Sequence, residues 1–331
     1  MRSTRIIAAL LVLLAMIGTL ALLFGTESTS LARAISDPDS LDRVILLRAR
    51  LPRVALAMIA GAGLSAVGAA LQALLRNPLA EPYLLGVSGG ASLGATVAIL
   101  AGLGSLTFFG TALVSLAALA GAFAATVLVY ALARSTGSIS GTEVLLSGII
   151  VNAVASGLVT FAKTLASAAK TQELVFWLVG FIDVPTQGAL AAVALYVGVG
   201  FALLWLDSGR LNVLALGEEP AAHLGVNVTS LVRRVFLASS LVVGAIVSLT
   251  GLIGFVGLIV PHAARRIAGP DLRLLLPVCL LGGAIVLVAS DLVARASFAW
   301  FGSEPPVGAV IAMLGGPLAL VVLRRSARLG A

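Results

Sequence analysis

Between Pro82 and Ala133 the chain runs for 52 residues without one Asp, Glu, Lys or Arg. A helix rises ~1.5 Å per residue, so ~20 apolar residues cross a bilayer core of ~30 Å, and this interval holds two such crossings. The feature recurs along the chain, with arginines at the ends of the runs. Of 331 residues, 60% are hydrophobic and 11% charged, whereas soluble domains carry about 25% charged residues. The pattern predicts an all-α polytopic membrane protein of about ten transmembrane helices.

The runs place spans at roughly 6–25, 54–75, 84–102, 110–133, 144–162, 186–206, 230–249, 252–262, 274–295 and 305–323 in one transmembrane domain. Residues 207–228 form the largest inner loop. Gly102, Gly104 and Gly110 supply a turn within the longest run. Arg2 and Arg5 precede the first run, and Ala32-Arg33-Ala34 resembles a cleavage site. The run exceeds the 7–15 residues usual for a signal peptide, which favours a retained helix. Thr250-Gly251, Gly254 and Gly257 divide the seventh run from a half-span ending at Pro261-His262; one long tilted helix is the alternative. Ten spans put both termini on the cytoplasmic side. That side then carries 13 basic and six acidic residues, and the other side eight of each, as the positive-inside rule requires. Merging the seventh and eighth spans would put Arg324 and Arg325 outside.

Several chemistries are excluded. Cys279 is the single cysteine, and His223 and His262 lie far apart without a carboxylate cluster, so no disulfide framework or metal site is expected. The net charge of +7 sits at span ends, as topology signals do, and does not indicate nucleic acid. The nearest approach to a Walker A loop, residues 157–164, lacks the glycine before Lys163, so ATP would have to be hydrolysed by another chain. No catalytic arrangement is placed within the membrane. Ionisable residues are scarce in the span centres, which disfavours an ion-gradient-driven secondary transporter, the alternative reading.

Four segments stand out. The first follows the second span: Arg76-Asn77-Pro78-Leu79-Ala80-Glu81-Pro82, then Gly86-Val87-Ser88-Gly89-Gly90. The second is Leu216-Gly217-Glu218-Glu219-Pro220-Ala221-Ala222-His223-Leu224-Gly225. The third is the stretch Gly251 to Arg266, with Gly254, Gly257, Pro261, His262 and Arg265, and then Gly269-Pro270-Asp271. The fourth is Glu304-Pro305-Pro306-Val307-Gly308 with Gly315-Gly316-Pro317. In this order they resemble the membrane subunits of ABC importers for vitamin B12, haem and ferric siderophores, the FecCD-type permease family. The resemblance covers most of residues 50 to 323.

That resemblance implies an inner-membrane permease that moves such a ligand from the periplasmic side to the cytoplasm by alternating access. It implies no cofactor on this chain, with ATP-Mg on a partner ATPase. The implied assembly is a homodimer of permeases, two ABC ATPase subunits and a periplasmic or lipid-anchored binding protein, all in membrane lipid. The resemblance makes Leu216, Gly217, Glu218, Glu219, Ala222, Leu224 and Gly225 the ATPase-coupling residues; a capped surface helix is the plainer reading, with acids favoured near its start. It makes Arg50, Arg53 and Arg295 docking residues for glutamates of the binding protein. An arginine fork suits carboxylates, while anchoring to headgroups is the alternative. Ser140, Gly141 and Thr142 resemble a cytoplasmic gate, and Ser140 or Thr142 also fits a helix N-cap with Glu143 in the first turn. Arg76, Asn77, Pro78, Glu81, Pro82, Gly86, Ser88, Pro261, His262 and Arg265 belong to the motifs themselves, His262 either structural or in signal transmission. Asn152 either faces the pathway or bonds another helix. The segment Phe176 to Phe181 is either an interfacial helix or loop packing.

Overall fold

The computed structural model describes residues 2–317 except Ser28, Gly104, Ser105, Phe109, Gly110 and residues 136–139. The turn glycines Gly104 and Gly110, the end of the expected last span, and Arg324 and Arg325 therefore lie outside the described residues.

The chain is a polytopic helical protein. Its helices, in order, are α1 (Arg2–Leu23), α2 (Leu31–Ser36), α3 (Leu41–Val44), α4 (Leu51–Leu74), α5 (Val87–Leu100), α6 (Leu113–Ser135), α7 (Gly141–Thr164), α8 (Ala168–Val179), α9 (Gln187–Leu206), α10 (Ser208–Leu214), α11 (Glu218–His223), α12 (Val228–Thr250), α13 (Val256–Ala268), α14 (Leu272–Ala296) and α15 (Phe298–Phe301). A further apolar helix, α16, runs over Val307–Pro317. A π-helical stretch, Ile45–Arg50, joins α3 to α4. Thr107–Phe108 and Thr111–Ala112 form a small antiparallel hairpin. Among the described residues seven helices are long and apolar enough to cross a membrane.

Local chemistry sets the helix starts. Ser140 and Glu143 form a reciprocal capping box at α7, and Thr186, Asn227 and Asp271 cap α9, α12 and α14 through their side chains. Each satisfies an amide that the first helical turn leaves without a partner. Phe176 to Val179 lie in α8, which Ser167 caps.

α4 is the central helix, buried along nearly its whole length. It packs antiparallel on α14 through small residues. A Cβ on Gly61 would lie 2.1 Å from the Gly283 carbonyl oxygen, and one on Gly283 the same distance from that of Gly61. One turn further, the Ser65 hydroxyl donates to the Cys279 carbonyl at 2.6 Å. α5 and α6 repeat the device: a Cβ on Gly90 would lie 2.3 Å from the Gly121 oxygen. Lipid provides no hydrophobic drive between helices, so close backbone approach supplies the packing energy.

Other helices bury one face only. α7 leaves Leu146, Ile149, Ile150, Val154, Leu158 and Phe161 exposed, and α6 leaves Phe123, Val127 and Leu128 exposed. These apolar faces match lipid or a second membrane chain.

Candidate functional site

Residues 207–227 form a compact unit at the end of α9. Its base is a charge clamp. Asp207 Oδ1 and Oδ2 accept from Arg234 Nη2 at 3.0 Å and Nε at 2.7 Å, and Arg210 Nη1 reaches Oδ1 at 2.5 Å. Burial alone would raise the Asp207 carboxyl, but the bonds from Arg234 and then Arg210 outweigh it and hold it below the usual carboxylate range. A second pin joins α10 to α14: Asn212 donates to Asp271 at 2.6 Å and accepts from the Leu272 amide at 2.9 Å. Bonds to Asp271 from the Arg273 amide, and then from Asn212, lower that carboxyl as well.

From this base the segment turns at Gly217, whose φ of +124° only glycine adopts easily. It then makes the short helix α11, with Ala221 buried underneath. Leu216 and Leu224 are 67% and 65% exposed. Glu219, Ala222 and Gly225 are exposed beside them, while Gly217 is buried and Glu218 half-buried. Glu218 lies 3.9 Å from Arg76. Two leucines held in the open by a clamped base form an unpartnered apolar contact surface.

The motif after α4 folds back between the helices. Asn77 accepts from the Leu79 amide at 2.9 Å, and Glu81 accepts from the Phe255 amide at 2.6 Å. The Tyr83 hydroxyl accepts from the Ile253 amide. Both contacts are at the start of α13, where Gly257 meets Leu64 and Gly68 of α4. Gly68 is six residues, ~9 Å, before the end of α4, so the loop after α4 folds back along that helix and brings Glu81 to the start of α13. It satisfies the amide at the positive end of α13. Pro82 packs on Gly257, and Gly86, at φ +82°, lets the chain pass Gly148.

Asn152 bonds across to α5: it donates to the Tyr83 carbonyl at 2.6 Å and accepts from the Gly89 amide at 2.8 Å. Ser88 also donates to the Tyr83 carbonyl, at 3.1 Å. Ser140 is the α7 N-cap, Gly141 is buried against Leu74 and Leu75, and Thr142 is exposed. Pro261 is buried within α13 and His262 half-buried. Arg265 donates to Gln72.

At the other end of α4 the three expected docking arginines come together, in contact with the chain itself. Arg50, 6% exposed, donates through Nη1 to the carbonyls of Leu22 and Leu23 at 2.8 and 2.7 Å and to the Thr29 hydroxyl at 2.8 Å, and through Nη2 to the Glu27 carbonyl. Arg295, 3% exposed, reaches the Phe24 carbonyl at 3.1 Å and Asp291 at 2.9 Å. Arg53 pairs with Asp291 at 3.0 Å and Glu304 at 2.8 Å, and lies over the Phe181 ring. Two guanidiniums thus cap the carboxyl end of α1, the negative end of its dipole. Asp291, Gln72, Asp207 and Arg234 are the partners that motif reading missed, and Glu304 stood in a motif without its partner. Asp291, four residues before Arg295, and Asp207, three before Arg210, carry a local spacing signal.

A sequence model of the FecCD transport family matches residues 10–325. The chain is 43% identical over 282 residues to the cobalamin import system permease protein BtuC of Halobacterium salinarum, covering 85% of this chain and 74% of that one. It is 39% identical over 282 residues to the vitamin B12 import system permease protein BtuC of Salmonella arizonae, covering 84% and 82%. Among solved structures it is similar to a metal-chelate type ABC transporter in an inward-facing conformation, with TM-score 0.83 and 29% identity over 97% of this chain and 99% of that one. A match over nearly the whole length by sequence and by fold leaves one assignment: the chain belongs to the FecCD transport family.

Proposed function

We propose that this chain is the multi-pass permease of an ATP-driven importer for large chelates, with cobalamin the first candidate cargo and haem or a ferric siderophore the others. As a transport component it is not itself an enzyme. The observation that carries the reading is the 207–227 unit, in which clamped charges hold Leu216 and Leu224 in the open. An apolar pair presented on a fixed base suits insertion into a cleft of an ABC ATPase, which would hold ATP-Mg. Leu216, Gly217, Glu218, Glu219, Ala222, Leu224 and Gly225 are its coupling residues.

A second permease copy, making a homodimer, would cover part of the exposed α7 face, with Ser140, Gly141 and Thr142 at the cytoplasmic gate. A binding protein would seat over Arg50, Arg53 and Arg295. Arg53, with 12% of its side chain exposed, is the guanidinium that an incoming carboxylate would meet first, since Arg50 and Arg295 are buried against the chain itself.

Uptake of labelled cobalamin, haem and a ferric siderophore by cells with and without the chain tests the reading. Loss of one uptake, together with co-purification of an ABC ATPase, is expected. Uptake that collapses with the proton gradient and survives loss of the ATPase would replace it with an ion-driven carrier.

A further inference from the structure

A cavity of about 360 Å³ opens at the inner end of the bundle, where α4, α10, α13 and α14 meet. Its polar walls are Gln72, Arg76, Asn212, His262 and Arg265, and no carboxylate lines it.

The balance of charge there is unusual. None of the ion pairs among the described residues includes Arg265. Its bond to Gln72 is to a neutral amide oxygen. Gln72 is held in that orientation by its own amide nitrogen, which faces the carbonyls of Ala80, Gly257 and Leu258 at 3.3–3.4 Å. Arg76 is held by a φ of +49° and meets only Glu218, at a loose 3.9 Å. The other nearby acid, Asp271, bonds Asn212 and the Arg273 amide and forms no ion pair with Arg76 or Arg265. A partly buried guanidinium without a counter-charge is costly, and an anion in the cavity offsets that cost.

We infer that this cavity is an anion site for a phosphate group, held between the Arg76 and Arg265 guanidiniums. Two arginine forks, one in the turn after α4 and one on α13, suit a tetrahedral group with several oxygens better than a single carboxylate, which one fork saturates. The cavity also lies where the membrane helices end, beside the exposed Ile267 and Arg266, at the level of lipid headgroups. The phosphate comes from an anionic lipid or from solution. Either source draws Arg76 away from Glu218 and so reaches the base of α11 through a shared arginine.

The site is tested on the purified full-length chain, independently of transport. In detergent, inorganic phosphate is expected to raise the unfolding midpoint above that in chloride of equal ionic strength. Native mass spectrometry after reconstitution is expected to retain phosphatidylglycerol in preference to phosphatidylcholine if the source is lipid, and to retain neither if it is free phosphate. Arg265→Gln and Arg76→Gln should each weaken phosphate binding by at least roughly tenfold, the loss of one charge-assisted contact. Arg76 is half-exposed, so that variant keeps the test valid if Arg265→Gln fails to fold. Equal midpoints in phosphate and chloride with no lipid preference would overturn the proposal. So would a phosphate effect that survives in Arg76→Gln, or protection of Arg76 from an arginine-modifying reagent by the ATPase alone and by neither phosphate nor lipid.

Discussion

Arg53 and Asp291, 3.0 Å apart, lie on the same antiparallel register that brings Gly61 to Gly283 and Ser65 to Cys279. The ion pair is thus the continuation of the close α4–α14 contact beyond its glycines. Asp291 is fully buried and its second oxygen is held by Arg295. One carboxylate therefore joins both guanidiniums across α4 and α14.

Asp291→Ala should destabilise the chain by about 3–5 kcal/mol, because it leaves two guanidiniums at a buried site without their shared anion. Thermal unfolding in detergent measures this. A double-mutant cycle with Arg53→Ala should show strong coupling, since each change removes the same pair.

Gly61→Ala should fail to accumulate as folded protein, because its Cβ would lie 2.1 Å from a backbone oxygen that cannot move without separating α4 from α14. Gly198→Ala, where a Cβ meets nothing within 4 Å, should be neutral or gain up to ~1 kcal/mol from helix propensity. Fluorescence-detected size exclusion of the two variants gives the comparison directly.

Glu81→Ala should cost about 1–3 kcal/mol by leaving the Phe255 amide without an acceptor at the start of α13. Glu81→Gln keeps an acceptor oxygen and should retain most of the stability. Equal losses in the two variants, read from detergent unfolding midpoints, would show that the negative charge matters more than the acceptor.

Asp207 gives a pH dependence with a definite sign. Its folded-state pKa is depressed, so its contribution is present above the unfolded value of about 3.9 and is lost as pH falls through the lower folded value. Wild-type stability should therefore decline below about pH 4 more steeply than that of Asp207→Asn. Unfolding midpoints between about pH 3 and 6 read the difference; parallel curves would remove the clamp's contribution.

Glu218→Lys with Glu219→Lys should abolish ATPase-driven uptake while leaving membrane insertion intact. Leu216→Asp should do the same by placing a charge in an apolar contact. Normal uptake in either variant would sink the coupling assignment.

Span-forming segments such as Val54 to Leu75 were legible in sequence because a bilayer demands long charge-free runs, and chain-order motifs carried the family. Register was not legible. Glu81 follows a cytoplasmic-looking loop, and nothing local reveals that the loop folds back to α13. Arg50 and Arg53 read as surface cations because their partners, backbone carbonyls near residue 24 and Asp291 on α14, are fixed by tertiary packing; Arg295 has Asp291 four residues away on its own helix, but its contact with the Phe24 carbonyl is likewise tertiary. Asn152 stayed open for the same reason: a lone amide in an apolar helix shows the need for a partner but not which one.

The two-arginine cap on α1 also sets an order of events. Arg50 follows the Leu23 carbonyl by only 27 residues, but Arg295 follows Phe24 by 271. At synthesis rates of roughly 5–20 residues per second, the second guanidinium emerges roughly 15–50 s after the helix end it will serve. During nascent-chain growth the first helix is therefore held by one arginine only. Its final tether is a late step that waits for almost the entire chain to enter the membrane.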